Sequence, residues 1–295
     1  MKTKKRKIRQ DNVGYLMIAP YYLFLLVFLL LPIAINIILS FTHYDMSTIR
    51  FAGLANYRKL FTDSILRLSI GNTLVFTVGT LSMTIVLGLL AAMAFIKVRR
   101  GTRFFRTCFF MPYVVSMATS SMIWLWMYDP GYGILNGILD LAGVPRSKWT
   151  FDVDIALLCV MFVTVWKFVG YNMVIFTSGL LAIPEQLYEA ARIEGASAAQ
   201  QLFGITLPML KPTTFLLLVT GFINNFNVFE QVNILTGGGP MNSTTTIMHQ
   251  VYVRAFVEYR MGYASSITIL LIAIVAVVTA LNFRFGSRGQ DLDLS

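Results

Sequence analysis

The sequence has 295 residues, of which 56% are hydrophobic and only 13% are charged. Charged residues make up about a quarter of an ordinary soluble chain, so this composition argues against a soluble globular protein and favours a membrane protein. The net charge of +10 does not require a nucleic-acid partner, because Lys and Arg collect on the cytoplasmic loops of membrane proteins.

Six apolar runs follow the basic segment of residues 1–15, and each is long enough to cross a membrane as a helix. We therefore predict an all-α membrane protein with a six-span domain over residues 16–286 and a short tail over 287–295. The first run is too long for the apolar part of a signal peptide, so we expect an uncleaved span. The six runs are Leu16–Ser40, Ile70–Ile96, Phe104–Tyr128, Ile155–Leu181, Pro208–Leu235 and Ala264–Phe283.

The distribution of Lys and Arg predicts the orientation of these spans. If the N-terminus lies inside, the inside segments hold 15 of these residues and the outside segments hold 8. Basic residues favour the cytoplasmic side, and both termini are therefore expected in the cytoplasm. The same orientation places the polar segment between the fourth and fifth runs, residues 182–208, on the cytoplasmic side.

The segment 182–208 has the punctuation of two short helices with a sharp turn between them. Pro184 suits the first turn of a helix, and Gly195 tolerates the left-handed conformation that follows a helix end. Ser197 and Gln200 have the spacing of a capping box. Pro208 is expected to begin the fifth span.

The first of these helices offers a surface that suits docking. Ala190 and Ala191 allow another backbone to approach closely, while Glu189 and Arg192 lie three residues apart on one face and offer charges for pairing. A membrane-surface helix that serves only its own bundle is the alternative interpretation.

Beyond these local features, the sequence resembles a family. The spacing of Glu189-Ala190-Ala191, Gly195, Ile205 and Leu207-Pro208 resembles the EAA motif of ABC importer permeases, and the resemblance extends to nearly the whole chain. It is strongest to the carbohydrate-uptake branch, the relatives of the maltose permease. Further marks of the resemblance are FAGLANY at Phe51–Tyr57, Asn72-Thr73, Met111-Pro112, GYN at Gly170–Asn172, NNFN at Asn224–Asn227, LTGGGP at Leu235–Pro240 and GYASS at Gly262–Ser266.

The resemblance implies the transmembrane domain of a type I ABC importer in a bacterial or archaeal plasma membrane. It implies a second homologous permease, two cytoplasmic ATPase subunits that hold ATP and Mg, and an extracytoplasmic solute-binding protein. The first helix of the EAA segment would be the coupling helix, seated on an ATPase subunit. The residues carried over to this role are Glu189, Ala190, Ala191, Arg192, Gly195, Leu207 and Pro208.

The chain itself is not expected to be an enzyme. It contains no G-x-x-x-x-G-K-[ST] loop that would hold nucleotide phosphates, and Cys108 and Cys159, which both fall in apolar runs, form no metal or disulfide motif. His43 and His249 lie far apart in non-membrane segments, so neither is expected to be catalytic. No cofactor or metal is therefore predicted on this chain.

Polar residues inside spans usually face a cavity or another helix, and the fourth and fifth runs carry the clearest set. Asparagine amides both donate and accept hydrogen bonds, which suits sugar hydroxyls, and aromatic rings offer flat faces to a sugar ring. The resemblance places a sugar site near the middle of the membrane. Hydrogen bonds between helices are the alternative role. The candidate substrate-binding residues are Trp166, Lys167, Gly170, Tyr171, Asn172, Asn224, Asn225, Asn227 and Glu230.

Lys167 is unexpected at the centre of the fourth run, and three interpretations remain open. Its stem could let the ammonium reach water, it could pair with Glu230 inside the bundle, or it could meet an anionic substrate such as a uronate-containing oligosaccharide. The sequence favours the two structural roles over the third.

Two outer features are also expected. The GGGP turn and the run Thr244–Thr246 suggest a flexible polar loop, which the resemblance assigns to contact with a loaded binding protein. Trp124, Trp126 and Tyr128 are interpreted as anchors at the membrane interface.

Three alternatives to sugar import by an ABC importer follow from the same residues. Within the family, the solute could be a phosphorylated polyol or another small polar molecule. In another class, the chain could be an ion-coupled secondary sugar transporter, although such proteins usually have inverted repeats. A membrane scaffold without transport is the third.

Overall fold

The computed structural model describes residues 14–15, 17–96 and 102–286. The predicted basic N-terminal segment, the start of the first run at Leu16 and the predicted tail over 287–295 lie outside this part of the chain. Two compact units form. One contains the chain up to Thr62 together with Val251–Leu270, and the other contains Asp63–Gln250 and the chain from Leu271 onwards.

The described chain consists of helices and one hairpin, joined by loops. The elements in chain order are α1 (Met17–Ser40), β1 (Thr42–Tyr44), β2 (Ile49–Phe51), α2 (Ala55–Thr62), α3 (Ser64–Ile96), α4 (Thr102–Val114), α5 (Met117–Met127), α6 (Ile134–Leu141), α7 (Ala156–Leu181), α8 (Glu185–Ile193), α9 (Ala198–Met209), α10 (Lys211–Phe226), α11 (Glu230–Leu235), α12 (Ile247–Tyr252) and α13 (Met261–Gly286).

Among these elements, α1, α3, α7 and α13 are long and apolar enough to cross a membrane as single helices. A helix satisfies its own backbone hydrogen bonds, which is the condition for crossing lipid. Two further spans are possible if each of two bent helix pairs counts as one. Four of the six predicted spans are thus continuous helices, and the other two are interrupted.

The third predicted span, Phe104–Tyr128, is not one straight helix. Its first part ends at Val114, its second begins at Met117, and their axes differ by 97°. Pro112 lies in the last turn of α4 and supplies no N–H. Ser116 then caps the new helix, because its hydroxyl accepts a hydrogen bond from the Thr119 N–H at 3.2 Å.

The fifth predicted span is also interrupted. Pro208 lies inside α9 rather than at the start of a span, and α9 and α10 differ in direction by 61° across Leu210. The helix α10 ends at Phe226, so the predicted end of this run at Leu235 belongs to the separate short helix α11. Apolar composition predicted the length of these segments but carried no information on the bends.

In the first unit, β1 and β2 form an antiparallel hairpin that pairs His43 with Arg50. The turn between them is fixed by Asp45, whose Oδ1 accepts hydrogen bonds from the Thr48 N–H at 2.7 Å and the Ser47 hydroxyl at 2.9 Å. The Thr48 and Ser47 donors lower the pKa of Asp45 to about 2. The turn is therefore stabilised by an ionised carboxylate at neutral pH.

Residues from two of the sequence marks hold this unit together around the end of α1 and β1. Asn56, in the FAGLANY segment, is buried, and its amide donates to the carbonyl oxygens of Ser40 at 2.9 Å and Thr42 at 2.8 Å. Gly262, at the start of GYASS, lies so close to the Thr42 carbonyl oxygen that a Cβ would collide with it. Asn56 thus binds the backbone around β1 through its amide, and Gly262 lets the start of α13 pack directly on that backbone.

In the second unit, α3 and α7 pack along their lengths through small residues. A Cβ added at Gly88 would lie 2.6 Å from the Asn172 Cβ, so the glycine permits close approach of the two helices. Threonines on α3 bond back to their own helix, as Thr80 does to the Phe76 carbonyl oxygen at 2.6 Å. This bond pairs the buried Thr80 hydroxyl within its own helix.

The predicted interfacial anchors separate into two groups. Trp126 is 53% exposed, as an anchor would be. Trp124 and Tyr128 are instead buried in the hydrophobic core, with ring centroids 5.4 Å apart, and the Tyr128 hydroxyl donates to the Cys159 carbonyl oxygen at 3.3 Å. The anchor interpretation is therefore wrong for these two residues, since the side chains face neighbouring helices.

The predicted flexible loop at Thr244–Thr246 is also not what the structure contains. All three threonines are fully buried. Asn72 on α3 donates to the carbonyl oxygens of Asn242 at 3.1 Å and Thr245 at 3.0 Å. The segment is therefore a packed cap, and the Asn72-Thr73 mark of the sequence is one of the elements that hold it.

Candidate functional site

A cavity of about 830 Å³ lies in the second unit, beside the break between α4 and α5. Pockets for small molecules usually measure about 300–1,000 Å³, so this one has room for a solute. Its walls come from α7, α10 and the break itself. The lining residues include Tyr113, Val114, Val115, Ser116, Met117, Thr164, Lys167, Phe168, Asn224, Asn225, Asn227, Phe229, Glu230 and Gln231.

A narrower cavity adjoins the first and is lined by the same four residues at the boundary, Thr164, Phe168, Asn224 and Asn225. Its further lining includes Tyr171 and Asn172 of α7, together with residues of α3 and α10. The two cavities thus lie one after the other along α7 and α10. Most of the predicted polar residues of these two helices line one of the cavities.

One wall is aromatic. The Tyr113 ring stacks on the Tyr171 ring with centroids 4.7 Å apart, and it meets the Phe168 ring edge-on at 5.7 Å. Phe110 adds a fourth ring, 5.4 Å from Tyr113. Flat apolar faces of this kind suit the C–H surface of a polyhydroxylated ring.

The asparagines of α10 provide the polar groups. In the described part of the chain, the side-chain amides of Asn224 and Asn225 have no hydrogen-bond partner, and both residues line the two cavities. Asn227 differs, because its amide donates to the Ile223 carbonyl oxygen at 2.8 Å at the end of its own helix. Two of the three predicted asparagines are therefore available to a solute.

Lys167 reaches across from α7 to the break in the third span. Its Nζ lies 3.0 Å from the Pro112 carbonyl oxygen and 3.2 Å from that of Tyr113, and it also contacts the Val115 carbonyl oxygen. The residue is 5% exposed. Glu230 lines the same cavity, yet within the described residues no ion pair joins it to Lys167.

Two of the predicted substrate-binding residues lie elsewhere. Gly170 lines neither cavity; a Cβ there would collide with the Phe109 carbonyl oxygen, so the glycine lets α7 and α4 touch. Trp166 packs against Trp124 with centroids 5.5 Å apart and is partly exposed outside both cavities. The remaining seven predicted residues line one cavity or both.

The structure adds residues that sequence reasoning missed. Tyr113 and Phe168 form the aromatic wall, and Thr164 lies at the boundary of the two cavities, where its hydroxyl accepts from the Gln231 amide at 3.3 Å. Tyr113 directly follows the Met111-Pro112 mark, which was a usable signal. Phe168 and Thr164 carried no such signal, because an aromatic or threonine residue in a span is most often ordinary packing.

The EAA segment has the geometry that the sequence predicted. The helix α8 begins one residue after Pro184, and Gly195 follows it with φ +80 in the left-handed region. Ser197 and Gln200 form the predicted capping box, with the Ser197 N–H donating to the Gln200 side chain at 2.7 Å.

The surface of α8 is open in this chain. Glu189, Ala190 and Arg192 are exposed, Ala191 is half-buried, and Ile193 is 87% exposed. Leu207 and Pro208 lie on α9 and are half-buried.

The packed segment at Thr244–Thr246 contacts a buried histidine, His249. The Nδ1 atom of His249 lies 3.1 Å from the Thr245 hydroxyl, and its ring packs so closely on Gly238 that a Cβ there would lie 2.5 Å from Cε1. Burial lowers the pKa of His249. The ring is therefore held neutral at physiological pH, which fits packing rather than catalysis.

Comparison with known proteins gives a consistent result. A model of the family described as "Binding-protein-dependent transport system inner membrane component" matches residues 84–288. The chain is 36% identical over 274 residues to the sn-glycerol-3-phosphate transport system permease protein UgpA of Agrobacterium fabrum, covering 92% of this chain and 93% of the relative.

A second relative is the probable ABC transporter permease protein YurN of Bacillus subtilis, 35% identical over 285 residues, with 95% and 97% of the two chains covered. Among solved structures, a chain of a bacterial ABC transporter involved in the import of the acidic polysaccharide alginate superimposes with a TM-score of 0.85. It is 22% identical and covers 97% of this chain and 99% of its own. This likeness confirms the predicted fold class.

Proposed function

Since the chain belongs to the inner membrane components of binding-protein-dependent transport systems, we propose that it is the permease through which such a system imports a sugar or oligosaccharide. Family membership makes it a transport subunit rather than an enzyme, without a cofactor of its own. It also removes the secondary transporter and the passive scaffold from consideration.

The observation that carries the proposal is the pairing of free amides with aromatic rings along the two adjoining cavities. Asn224 and Asn225 offer donors and acceptors to hydroxyl groups, and Tyr113 and Tyr171 offer stacked ring faces beside them. Sugars present hydroxyls and flat C–H faces together, so this wall matches their chemistry on both counts.

A phosphorylated polyol is the second candidate, and the names of relatives favour it. The Agrobacterium fabrum relative is named for sn-glycerol 3-phosphate. A phosphate would require cationic groups in the cavity. Lys167 is the cation that lines the larger cavity, and its ammonium is already bound by backbone oxygens. This arrangement supports the sugar over the phosphate.

The chain works with three kinds of partner. A second, homologous permease completes the pathway, an external binding protein delivers the solute, and two ATPase subunits hydrolyse ATP on the cytoplasmic face. The helix α8 docks on one ATPase through Glu189 and the small residues beside it, while Gly195 makes the turn that presents it. The exposure of this helix supports the assignment. Both termini lie in the cytoplasm, as the distribution of basic residues favours.

The test is uptake of labelled solutes by the complete importer in proteoliposomes, with its own binding protein and ATP. The panel contains neutral oligosaccharides, sn-glycerol 3-phosphate and uronate oligosaccharides. We expect a neutral sugar to be transported, and Asn225→Ala to lower its uptake about tenfold, since one or two lost hydrogen bonds amount to about 1–2 kcal/mol.

Asn233→Ala is the matched control, because Asn233 lies on α11 and lines neither cavity. It should transport like the wild type. Exclusive uptake of sn-glycerol 3-phosphate would reject the sugar in favour of the second candidate. Normal uptake by Asn225→Ala would reject this cavity as the solute site.

A further inference from the structure

The break in the third span leaves backbone groups that the helix cannot satisfy. The last carbonyl oxygens of a helix have no partner within it, and here α4 ends at Val114 inside the apolar run Phe104–Tyr128. In a lipid environment such oxygens need a donor from the protein. Ser116 serves the start of the next helix and leaves the end of α4 to another group.

Lys167 supplies that donor from a different helix. Its ammonium has three N–H groups, and three carbonyl oxygens surround it, those of Pro112, Tyr113 and Val115. Lysine side chains near a helix C-terminus can bond the last carbonyls in this way and complement the helix dipole. All three donors are used, so none remains for a solute.

The residues that Lys167 holds are also a wall of the larger cavity. Every residue from Tyr113 to Met117 lines it. The direction of the chain through these five residues decides where Tyr113 and the start of α5 stand relative to the asparagines of α10. A group that fixes the break therefore fixes the shape of the cavity.

We propose that Lys167 is a positioning residue: it holds the break of the third span by binding three backbone carbonyls, and thereby places the cavity wall without binding the solute itself. The inference rests on the proposed function in taking this cavity as the solute site. An anionic solute would have to draw the ammonium away from three oxygens, in a cavity that Glu230 also lines.

The test measures the break directly. Spin labels are attached to cysteines at Phe105 and Met122, exposed positions on α4 and α5, in the complete importer with Cys108 and Cys159 replaced by alanine. An unbroken helix would separate these positions by about 26 Å at 1.5 Å per residue. The 97° bend holds them closer together. The distance between the two labels, measured by electron–electron double resonance, therefore reports the state of the break without any solute.

The variants are Lys167→Met, which keeps the stem and removes the donors, and Lys167→Arg, which keeps donors and charge. We expect Lys167→Met to broaden the distance distribution towards longer values. Its maximal uptake should fall about tenfold, as for loss of a charge-assisted bond, with the half-saturating solute concentration unchanged. Lys167→Arg should restore the short distance and most of the uptake. Lys148→Met, at an exposed lysine outside the spans, should match the wild type.

Three results would overturn the inference. An unchanged distance in Lys167→Met together with a raised half-saturating concentration would make Lys167 a solute ligand. If adding Glu230→Gln restored the uptake and the label distance of Lys167→Met, Lys167 would act as a counter-charge to Glu230. Lys167→Gln is included in case Lys167→Met does not assemble. A wild-type label distance in Lys167→Gln would show that the ammonium is not needed. Failure of the wild type to transport any sugar would reject the proposed function but leave the distance measurement valid.

Discussion

At Gly170, two helix backbones approach more closely than any side chain would permit. The GYN mark in the sequence was interpreted as a substrate segment, but its glycine faces the backbone of α4, and a Cβ would lie 3.0 Å from the Phe110 Cα as well as against the Phe109 carbonyl. Its neighbour Tyr171 does line the narrower cavity. A short motif can thus combine a packing residue with a cavity-lining one, and sequence alone does not separate them.

We expect Gly170→Ala to destabilise the protein. The added methyl group meets backbone atoms, which cannot rotate away, and overpacking of this kind costs about 1–3 kcal/mol. The thermal unfolding midpoint of the purified complex should fall by several degrees. Gly71→Ala is the control, because Gly71 lies on the spanning helix α3 and a Cβ there meets nothing within 4 Å. Equal midpoints for the two variants would refute the close-contact role.

We expect His249 to make the stability of the packed segment at Thr244–Thr246 depend on pH. Burial lowers the pKa of His249 in the folded protein, whereas the unfolded chain takes up a proton near pH 6.5. The unfolded state therefore binds more protons below this pH, and stability is lost as the pH falls through it.

The measurement is the thermal midpoint of the purified complex at pH 7.5 and 5.5. His249→Gln should show a smaller decrease than the wild type, because glutamine can still meet Thr245 but does not titrate. His43→Gln removes an exposed histidine of the hairpin and should retain the decrease of the wild type. Equal pH dependence in all three proteins would rule out this origin.

At the scale of the element, the sequence predicted which segments are helical better than where they bend. The apolar character of Phe104–Tyr128 continues through the break, so hydropathy cannot register it. Pro112 and Ser116 did carry the information, as a proline that ends one helix and a serine that caps the next. The EAA segment was predicted well for the same reason: its glycine, proline and capping residues act locally, independent of tertiary contacts.

The exposed helix α8 yields a prediction on coupling. Glu189→Ala should lower the ATPase rate that a loaded binding protein elicits at least about fivefold, because a carboxylate at a protein interface contributes about 1–3 kcal/mol when paired. The thermal midpoint should stay unchanged, since Glu189 is exposed. Glu194→Ala, an exposed carboxylate just after the same helix, is the control. Full stimulation in Glu189→Ala would exclude this residue from the contact.

At the scale of the whole molecule, composition and charge were sufficient for the membrane class. They also predict an orientation, whereas the candidate solute site required coordinates. The sequence makes Asn224 and Asn225 candidates. Their unpaired amides, in cavities that Tyr113 and Tyr171 also line, favour the proposed solute binding over helix–helix bonding. Side chains from three separate helices meet there. No local pattern in any one helix encodes that meeting.

The orientation can be tested with two exposed positions. In a variant without Cys108 and Cys159, we expect Leu141→Cys, 91% exposed at the end of α6, to react with a membrane-impermeant maleimide on intact cells. Ile193→Cys, 87% exposed on α8, should react only after permeabilisation. The reverse pattern would invert the predicted topology and separate α8 from the cytoplasmic ATPase.

The three carbonyls bound by Lys167 also bear on biogenesis. The ribosome makes Pro112 55 residues before it makes Lys167, so the third span is synthesised before its donor exists. Until then its exposed oxygens are unfavourable in lipid. The third span consequently reaches its final shape only when the fourth packs against it and supplies Lys167. The two spans are therefore expected to insert into the bilayer together.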